Sequence, residues 1–432
     1  MSYLKQSAVT FSTQILLMIF SMGAGIIVAR LLGPELKGQA VLLSNATQLL
    51  FMLGSMGFGS AFSFFIAKKR YQPRQIMSLA LFSSLLFGGI VNFCFFFTWK
   101  YHSSMWQGIP FNLIILSTLL AVLNIYSTYL LRIVVGFGRI YSMNLSNAVT
   151  TIINFVSVVF LLLVWPFGLK GVVYSLWLSG VAQVVVLGWM LRAHLVPKAC
   201  WDYRFITETY LYGIKSHGLL IINFLNYRLD LFILQYLVKD AVEVGYYSLA
   251  VGMAELMWMV PNSVVAPLFS SVARSDADDR SVITLRTCRW SLIFLILLAV
   301  GGVMFGRLFL RLLYGADYLP SYEPFLWLLP GVCLFPIFKL FVIDLAARGL
   351  PGYGTVASAV ALLVNVIANI ILIPQFGAKG AAMATSFSYI LMSIISLFFF
   401  MRITKYTFRD IFVVEQVEIQ FIFSKIRQIL IK

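Results

Sequence analysis

The chain has 432 residues, 61% of them hydrophobic and 11% charged, with mean hydropathy +0.92. A soluble domain is roughly half apolar and a quarter charged, so this chain cannot hide its apolar surface from water and must take the bilayer as its solvent. The net charge of +16 raises nucleic acid as a partner, but cytoplasmic loops of membrane proteins collect Lys and Arg, which explains the excess more simply.

An apolar run of ~20 residues spans a bilayer. Windows bounded by charge, Gly or Pro predict twelve helices, at 8–32, 39–66, 76–98, 109–135, 143–165, 171–192, 213–237, 244–271, 288–313, 322–345, 354–374 and 380–402. The first follows MSYLKQ and is too long for a signal-peptide core, which predicts a retained span. Alternate loops differ in charge. One set holds Lys5, Lys68, Lys69, Arg70, Arg74, Arg139, Lys198, Arg204, Arg274, Arg280, Arg286 and Arg348, and the other only Lys37, Lys100, Lys170, Lys239 and Lys379. That asymmetry places both termini in the cytoplasm, beside the two longest inner loops, near 193–212 and 272–287. In the tenth span Pro324, Pro330 and Pro336 each remove a backbone hydrogen bond, which predicts a kinked or broken helix. The tail 406–432 reads as cytoplasmic, either an interfacial helix or an alternating strand. Four cysteines and three histidines are scattered without metal or disulfide spacing, and no cofactor is expected.

The chain repeats itself. FGLKG at 167–171 and FGAKG at 376–380 precede the sixth and twelfth spans, 209 residues apart, and Arg139 and Arg348 each lie 31 residues before the lysine of their copy. LKGQ at 36–39 and EVGY at 243–246 enter the second and eighth spans, their glycines 207 apart. The expectation is an all-α polytopic membrane protein of about 12 transmembrane helices, in two parallel six-helix lobes around a central cavity. The lobes are expected at 1–205 and 206–405, followed by the tail.

Three stretches carry a family resemblance. ARLLGPELKG (29–38), Asp230 followed by VGYYSLA (244–250), and IPQFGAKGAAMAT (373–385) resemble bacterial polysaccharide repeat-unit flippases of the O-antigen type. These belong to the multidrug/oligosaccharidyl-lipid/polysaccharide exporter superfamily. The resemblance implies a two-lobed exporter in the bacterial inner membrane. Its implied cargo is an undecaprenyl-diphosphate-linked oligosaccharide, with a polysaccharide polymerase and a chain-length regulator as associated partners.

Polar groups inside the membrane are candidates for function, because a charge at the bilayer centre costs roughly 2.5–3.5 kcal/mol. NYRLDLFIL at 226–234 carries two. At ~100° per residue, Lys215, Asn223, Asn226 and Asp230 fall on one face, whereas His217 and Arg228 fall on the opposite one. Arg228 and Asp230 therefore do not meet, and each must find a partner elsewhere. Arg228 lies ~13 Å from the nearer end of its span, too far to snorkel easily. It reads as a cavity residue for a diphosphate, which Arg grips through a bidentate fork, or as one half of a salt bridge to another helix. Asp230 reads as a structural counter-ion or an ion-coupling group, and Glu255, in the eighth span, as a helix-to-helix hydrogen-bonding group or an ion-coupling group. The offset of 207 maps Glu255 onto Gln48. Lys215 and Lys339 are further cavity candidates. Arg30 reads first as a snorkelling side chain, with a substrate role implied by the stretch it belongs to.

A flippase needs cations for the diphosphate and polar walls for sugars, and Arg228, Lys215 and Lys339 with Asn223 and Asn226 fit that need. A cation-exporting multidrug transporter of the same superfamily would want acids in its first spans, and the first six predicted spans hold none. A membrane polysaccharide polymerase would want a large outer loop with catalytic Arg or His, and none is present. A transporter rather than an enzyme is expected.

Overall fold

The computed structural model describes residues 3–194, 202–274 and 277–409, with side chains throughout except at 3–12, 215, 216, 260, 266, 273, 274 and 277–279. The tail prediction lies outside the described residues from 410 onward. The described secondary structure is helical throughout, without a strand. In chain order come α1 (Tyr3–Gly54), α2 (Phe58–Ala67), α3 (Pro73–Phe97), the single turn α4 (Trp99–His102), α5 (Phe111–Gly136), α6 (Ile140–Val159) and α7 (Leu169–Met190). They are followed by α8 (Tyr203–Val238), α9 (Ala241–Leu256), α10 (Met259–Arg274), α11 (Ala277–Leu313), α12 (Tyr322–Ala347) and α13 (Gly352–Thr404).

The chain forms two compact units. The first comprises Met1–Phe224, Leu234–Tyr246 and Leu313–Asp317, and the second Leu225–Ile233, Tyr247–Leu312 and Tyr318–Lys432. A core of Phe58, Phe62, Phe65, Tyr129, Ile133, Leu187 and Phe205 joins α2, α5, α7 and α8 in the first unit. Leu268, Leu285, Cys288, Phe341 and Phe400 join α10 to α13 in the second. The surface is inverted relative to a soluble protein. Ser84, Thr118, Ser146, Asn365 and Ser388 are buried, while Phe93 and Met304 are 70% and 69% exposed. Small and polar residues between helices with apolar residues outside are the packing of a lipid-solvated bundle. This is an all-α polytopic membrane protein.

Among the described residues nine helices are long and apolar enough to cross a membrane, ten if the bent pair α9–α10 is one span. The difference from the twelve predicted lies at two glycines. The helical hydrogen bonding of α1 runs on through Gly33 (φ 71°, ψ 176°) and that of α13 through Gly377 (φ 55°, ψ −132°), so each long helix holds two predicted spans on either side of a sharp bend. Three further expectations are corrected. The second span ends at Gly54, because Met56 and Gly57 take left-handed backbone angles before α2, and the Tyr129 hydroxyl donates to the Ser55 carbonyl (2.8 Å) to hold that break. The two inner loops are shorter than predicted: α8 starts at Tyr203, capped by Asp202, and α11 starts at Ala277. Lastly, α12 runs unbroken through Pro330 and Pro336. Pro324 stands in its first turn, where no amide donor is needed. The break falls in the eighth span instead, where α9 and α10 meet at 46° just before Pro261.

The repeat extends to backbone geometry. Gly168 (φ 58°, ψ −134°) and Gly377 (φ 55°, ψ −132°) adopt one conformation 209 residues apart. That conformation is open to glycine and strained for other residues. The second glycine of each FGxKG copy sits against the preceding helix, and a Cβ would come within 2.9 Å of the Leu161 carbonyl oxygen at Gly171 and 2.3 Å of the Leu372 carbonyl oxygen at Gly380. Gly168→Ala and Gly377→Ala are each expected to cost more than about 1 kcal/mol, read as a lower unfolding midpoint of the purified protein. An unchanged midpoint in both would contradict the assignment.

The LKGQ and EVGY glycines have a different task. A Cβ on Gly38 would lie 1.8 Å from the Ala241 carbonyl oxygen, and one on Gly245 would lie 2.2 Å from that of Pro34. Pro34 and Ala241 are themselves 207 apart, as are Gly38 and Gly245. The contact is therefore reciprocal, each glycine seated on the repeat equivalent of the other's partner, as in a two-fold interface. Both segments belong to the first unit.

Candidate functional site

The polar residues of α8 that lie in the second unit, between Leu225 and Ile233, face three different demands. Arg228 turns to α9, where Glu255 stands one turn before the α9–α10 elbow. Nη1 donates to Oε1 at 2.9 Å and Nη2 to Oε2 at 3.1 Å. This fork-to-fork geometry is the strong form of an ion pair and offsets the cost of placing either charge in the membrane. The pair is not sealed, since 27% of the Arg228 and 28% of the Glu255 side chain remain accessible.

Asp230 is buried and has no cationic partner among its hydrogen bonds. Its Oδ2 accepts from the Tyr247 hydroxyl and from Thr385 Oγ1 (2.9 Å), and its Oδ1 from the Leu231 amide (2.8 Å). A carboxylate can accept several donors, so the group is held by neutral dipoles rather than by a countercharge. Asn226 Nδ2 donates to the Ser358 carbonyl at 2.9 Å. Asp230 and Asn226 thus tie α8 to α9 and α13.

The elbow carries an aromatic cluster. Trp258 stacks on Phe335 with ring centroids 4.4 Å apart and packs against Tyr389 at 5.4 Å and Tyr227 at 5.8 Å. Pro261 lacks the amide that would bond the Met257 carbonyl, which permits the bend that admits the indole. Tyr227, Asp230, Glu255, Trp258, Thr385 and Tyr389 line a cavity of ≈ 10 Å³. That is near the threshold for one water and far below a diphosphate.

The structure therefore brings Arg228, Glu255, Asp230 and Asn226 together within the second unit. The other predicted residues stand apart. Arg30 is exposed in the first unit and donates to the Leu313 carbonyl at 2.7 Å. Asn223, also in the first unit, keeps a buried Oδ1 with no hydrogen-bond partner among the described residues. Lys339 is held by Asn262 of α10 and does not line the small cavity. The Lys215 side chain lies outside the described residues. Asp344 and Arg348 pair as their i, i+4 spacing implies, and Asp344, which also accepts from Thr284 Oγ1 at 2.6 Å, is fully buried.

Sequence reasoning missed Tyr247, Thr385 and the aromatic cluster. Tyr247 and Thr385 nonetheless stand inside the family-like stretches VGYYSLA and IPQFGAKGAAMAT, so those stretches converge on Asp230. A second polar assembly lies in the first unit, where Glu208 accepts from Arg70 (2.6 Å), Tyr71 (2.7 Å) and Arg204 (3.0 Å). It joins the connection between α2 and α3 to the first turns of α8. Burial, followed by the Glu208 hydrogen bond, pushes the Tyr71 phenol above its ordinary value.

Residues 3–273 match the family model described as polysaccharide biosynthesis protein. An uncharacterized membrane protein of Methanocaldococcus jannaschii, MJ1068, is 25% identical over 245 residues, covering 54% of this chain and 47% of the relative. The chain thus matches about half the length of that curated relative. Among solved structures, an inward-facing multidrug resistance MATE family transporter of the MOP superfamily superposes with TM-score 0.78 at 14% identity, over 92% of this chain and 98% of the other. The lipid II flippase MurJ in an inward closed conformation gives TM-score 0.76 at 15% identity, over 94% and 89%. A MOP superfamily transporter from Pyrococcus furiosus gives 0.64 at 15%, over 93% and 95%. With more than half of its length matched by the family model, the chain belongs to the polysaccharide biosynthesis protein family and has the fold of MOP superfamily transporters.

Proposed function

We propose that this protein moves undecaprenyl-diphosphate-linked oligosaccharide repeat units across the bacterial inner membrane by alternating access, for O-antigen, capsule or exopolysaccharide synthesis. The observation that carries the reading is the polysaccharide biosynthesis match over residues 3–273 on a chain that folds like a lipid II flippase. In this reading the lobes at 1–205 and 206–405 expose the cargo to either side in turn, with both termini in the cytoplasm. A polymerase and a chain-length regulator act on the product.

The Arg228–Glu255 pair suits such a cargo. A diphosphate presents the same two-oxygen edge to a guanidinium fork as the Glu255 carboxylate does, and carries more charge. Cargo entering the membrane would exchange for Glu255 on Arg228, and the partial accessibility of both side chains supports that exchange. Glu255, once released, is the ion-coupling group of this reading. Asp230, held by two hydroxyls and an amide, is less available for coupling. A cationic drug would find no acid in the first six predicted spans.

In cells deprived of the protein, lipid-linked oligosaccharide should accumulate on the cytoplasmic leaflet and surface glycan should be lost. Wild type should restore both, and Arg228→Met/Glu255→Leu should restore neither while remaining in the membrane. Normal surface glycan in the deprived cells would overturn the assignment.

A further inference from the structure

The first unit contains a cleft of different character, ≈ 340 Å³ in volume. It lies where α1, α5 and α7 face one another, and Gln48, Asn124, Thr128 and Gln183 line it beside the smaller Ser44, Thr47 and Ser127, with Phe51 among the apolar residues. No charged side chain lines it. Among the described residues, none of the Gln48, Asn124, Thr128 and Gln183 side chains has a hydrogen-bond partner, whereas Thr47, Ser83 and Asn92 each bond the carbonyl four residues back in their own helix. Gln48 is exposed and Asn124, Thr128 and Gln183 are half-buried, so three amides and a hydroxyl stand accessible in the cleft with their hydrogen-bonding capacity open to a ligand.

The repeat sharpens the contrast. Gln48 corresponds to Glu255 at the offset of 207. At offsets of 207 to 209, Asn124 corresponds to the segment Gly331–Cys333, and at 209 Gln183 corresponds to Met392, which is fully buried. The second half thus holds charge locked in an ion pair, and the first holds neutral amides facing a cleft. Each amide offers both a donor and an acceptor, which matches a hydroxyl and gives no preference to an anion. The volume falls at the lower end of the roughly 300–1,000 Å³ of ligand sites, and Phe51 offers an apolar face beside the polar wall.

We infer that this cleft binds the uncharged sugar hydroxyls of the cargo, separately from the diphosphate. Gln48, Asn124, Thr128 and Gln183 form a glycan subsite of the first unit, and this assignment rests on the transport reading above.

The test uses purified full-length protein and two probes, bare undecaprenyl diphosphate and undecaprenyl diphosphate carrying the complete oligosaccharide, extracted from the cells that make it. Wild type should bind the glycan-bearing lipid about tenfold or more tightly than the bare one, as expected for several added hydrogen bonds. The variant Gln48→Leu/Asn124→Leu/Gln183→Leu should bind both alike, at the wild-type affinity for bare lipid. A triple variant that keeps the full glycan preference overturns the subsite and leaves the transport reading standing. Equal wild-type affinities for the two probes do the same. Binding of neither probe by wild type overturns the transport reading, and the subsite with it. Should the triple variant lose the bare lipid as well, Asn124→Leu and Gln183→Leu are measured singly, and loss or retention of the glycan preference decides.

Discussion

Glu255→Leu is expected to destabilise the protein by about 3 kcal/mol, seen as a lower unfolding midpoint and reduced abundance in the membrane. The substitution leaves Arg228 without its carboxylate at mid-membrane depth, where an unpaired cation is costly. The value sits at the low end for a buried pair because about a quarter of each side chain stays accessible. Arg228→Met/Glu255→Leu removes both charges together, and replacement of such pairs by apolar residues is often neutral or stabilising. The double variant should therefore regain wild-type abundance and midpoint but not export. Recovery of export would show that Arg228 serves only to neutralise Glu255.

Gly38→Val and Gly245→Val should each prevent stable folding, with a loss of about 3 kcal/mol or more from forced overpacking. The obstacle in each case is a backbone carbonyl, of Ala241 or Pro34, and not a side chain that could turn away. Because the contact is reciprocal, Gly38→Ala/Gly245→Ala should cost less than the sum of its parts, since the first substitution already opens the approach that the second needs. Thermal unfolding in detergent of the two valine variants, of Gly38→Ala and Gly245→Ala singly, and of the double alanine variant measures both effects. Strict additivity would mean that the two glycines do not share one contact.

Much of the architecture is legible in the sequence because bilayer thickness fixes the length of an apolar run, and the FGxKG copies reveal a duplication. Helix continuity is less legible. Three prolines in the tenth span suggest a break, yet α12 runs on through Pro330 and Pro336 with its Gly331 amide bonded to Ser386 Oγ at 2.8 Å. The eighth span holds only two, Pro261 and Pro267, and breaks before the first, where Trp258 fills the elbow against Phe335. Proline removes a hydrogen bond wherever it falls, but tertiary packing decides whether a bend follows. The same limit applies to the site. Helical periodicity sends Arg228 and Asp230 to different partners, but the identity of those partners depends on contacts between helices that are distant in the chain. Glu255 stands out as an acid in an apolar span. Tyr247 and Thr385 do not, because hydroxyls on membrane helices are common and signal nothing alone.

The most direct measurement reconstitutes the purified chain into liposomes containing undecaprenyl-diphosphate-linked oligosaccharide and adds a glycosidase to the outside only. The enzyme should digest the glycan of both leaflets in liposomes containing the protein, and only that of the outer leaflet in protein-free liposomes or in liposomes containing Arg228→Met/Glu255→Leu. Equal digestion with and without the wild-type chain would contradict the transport reading.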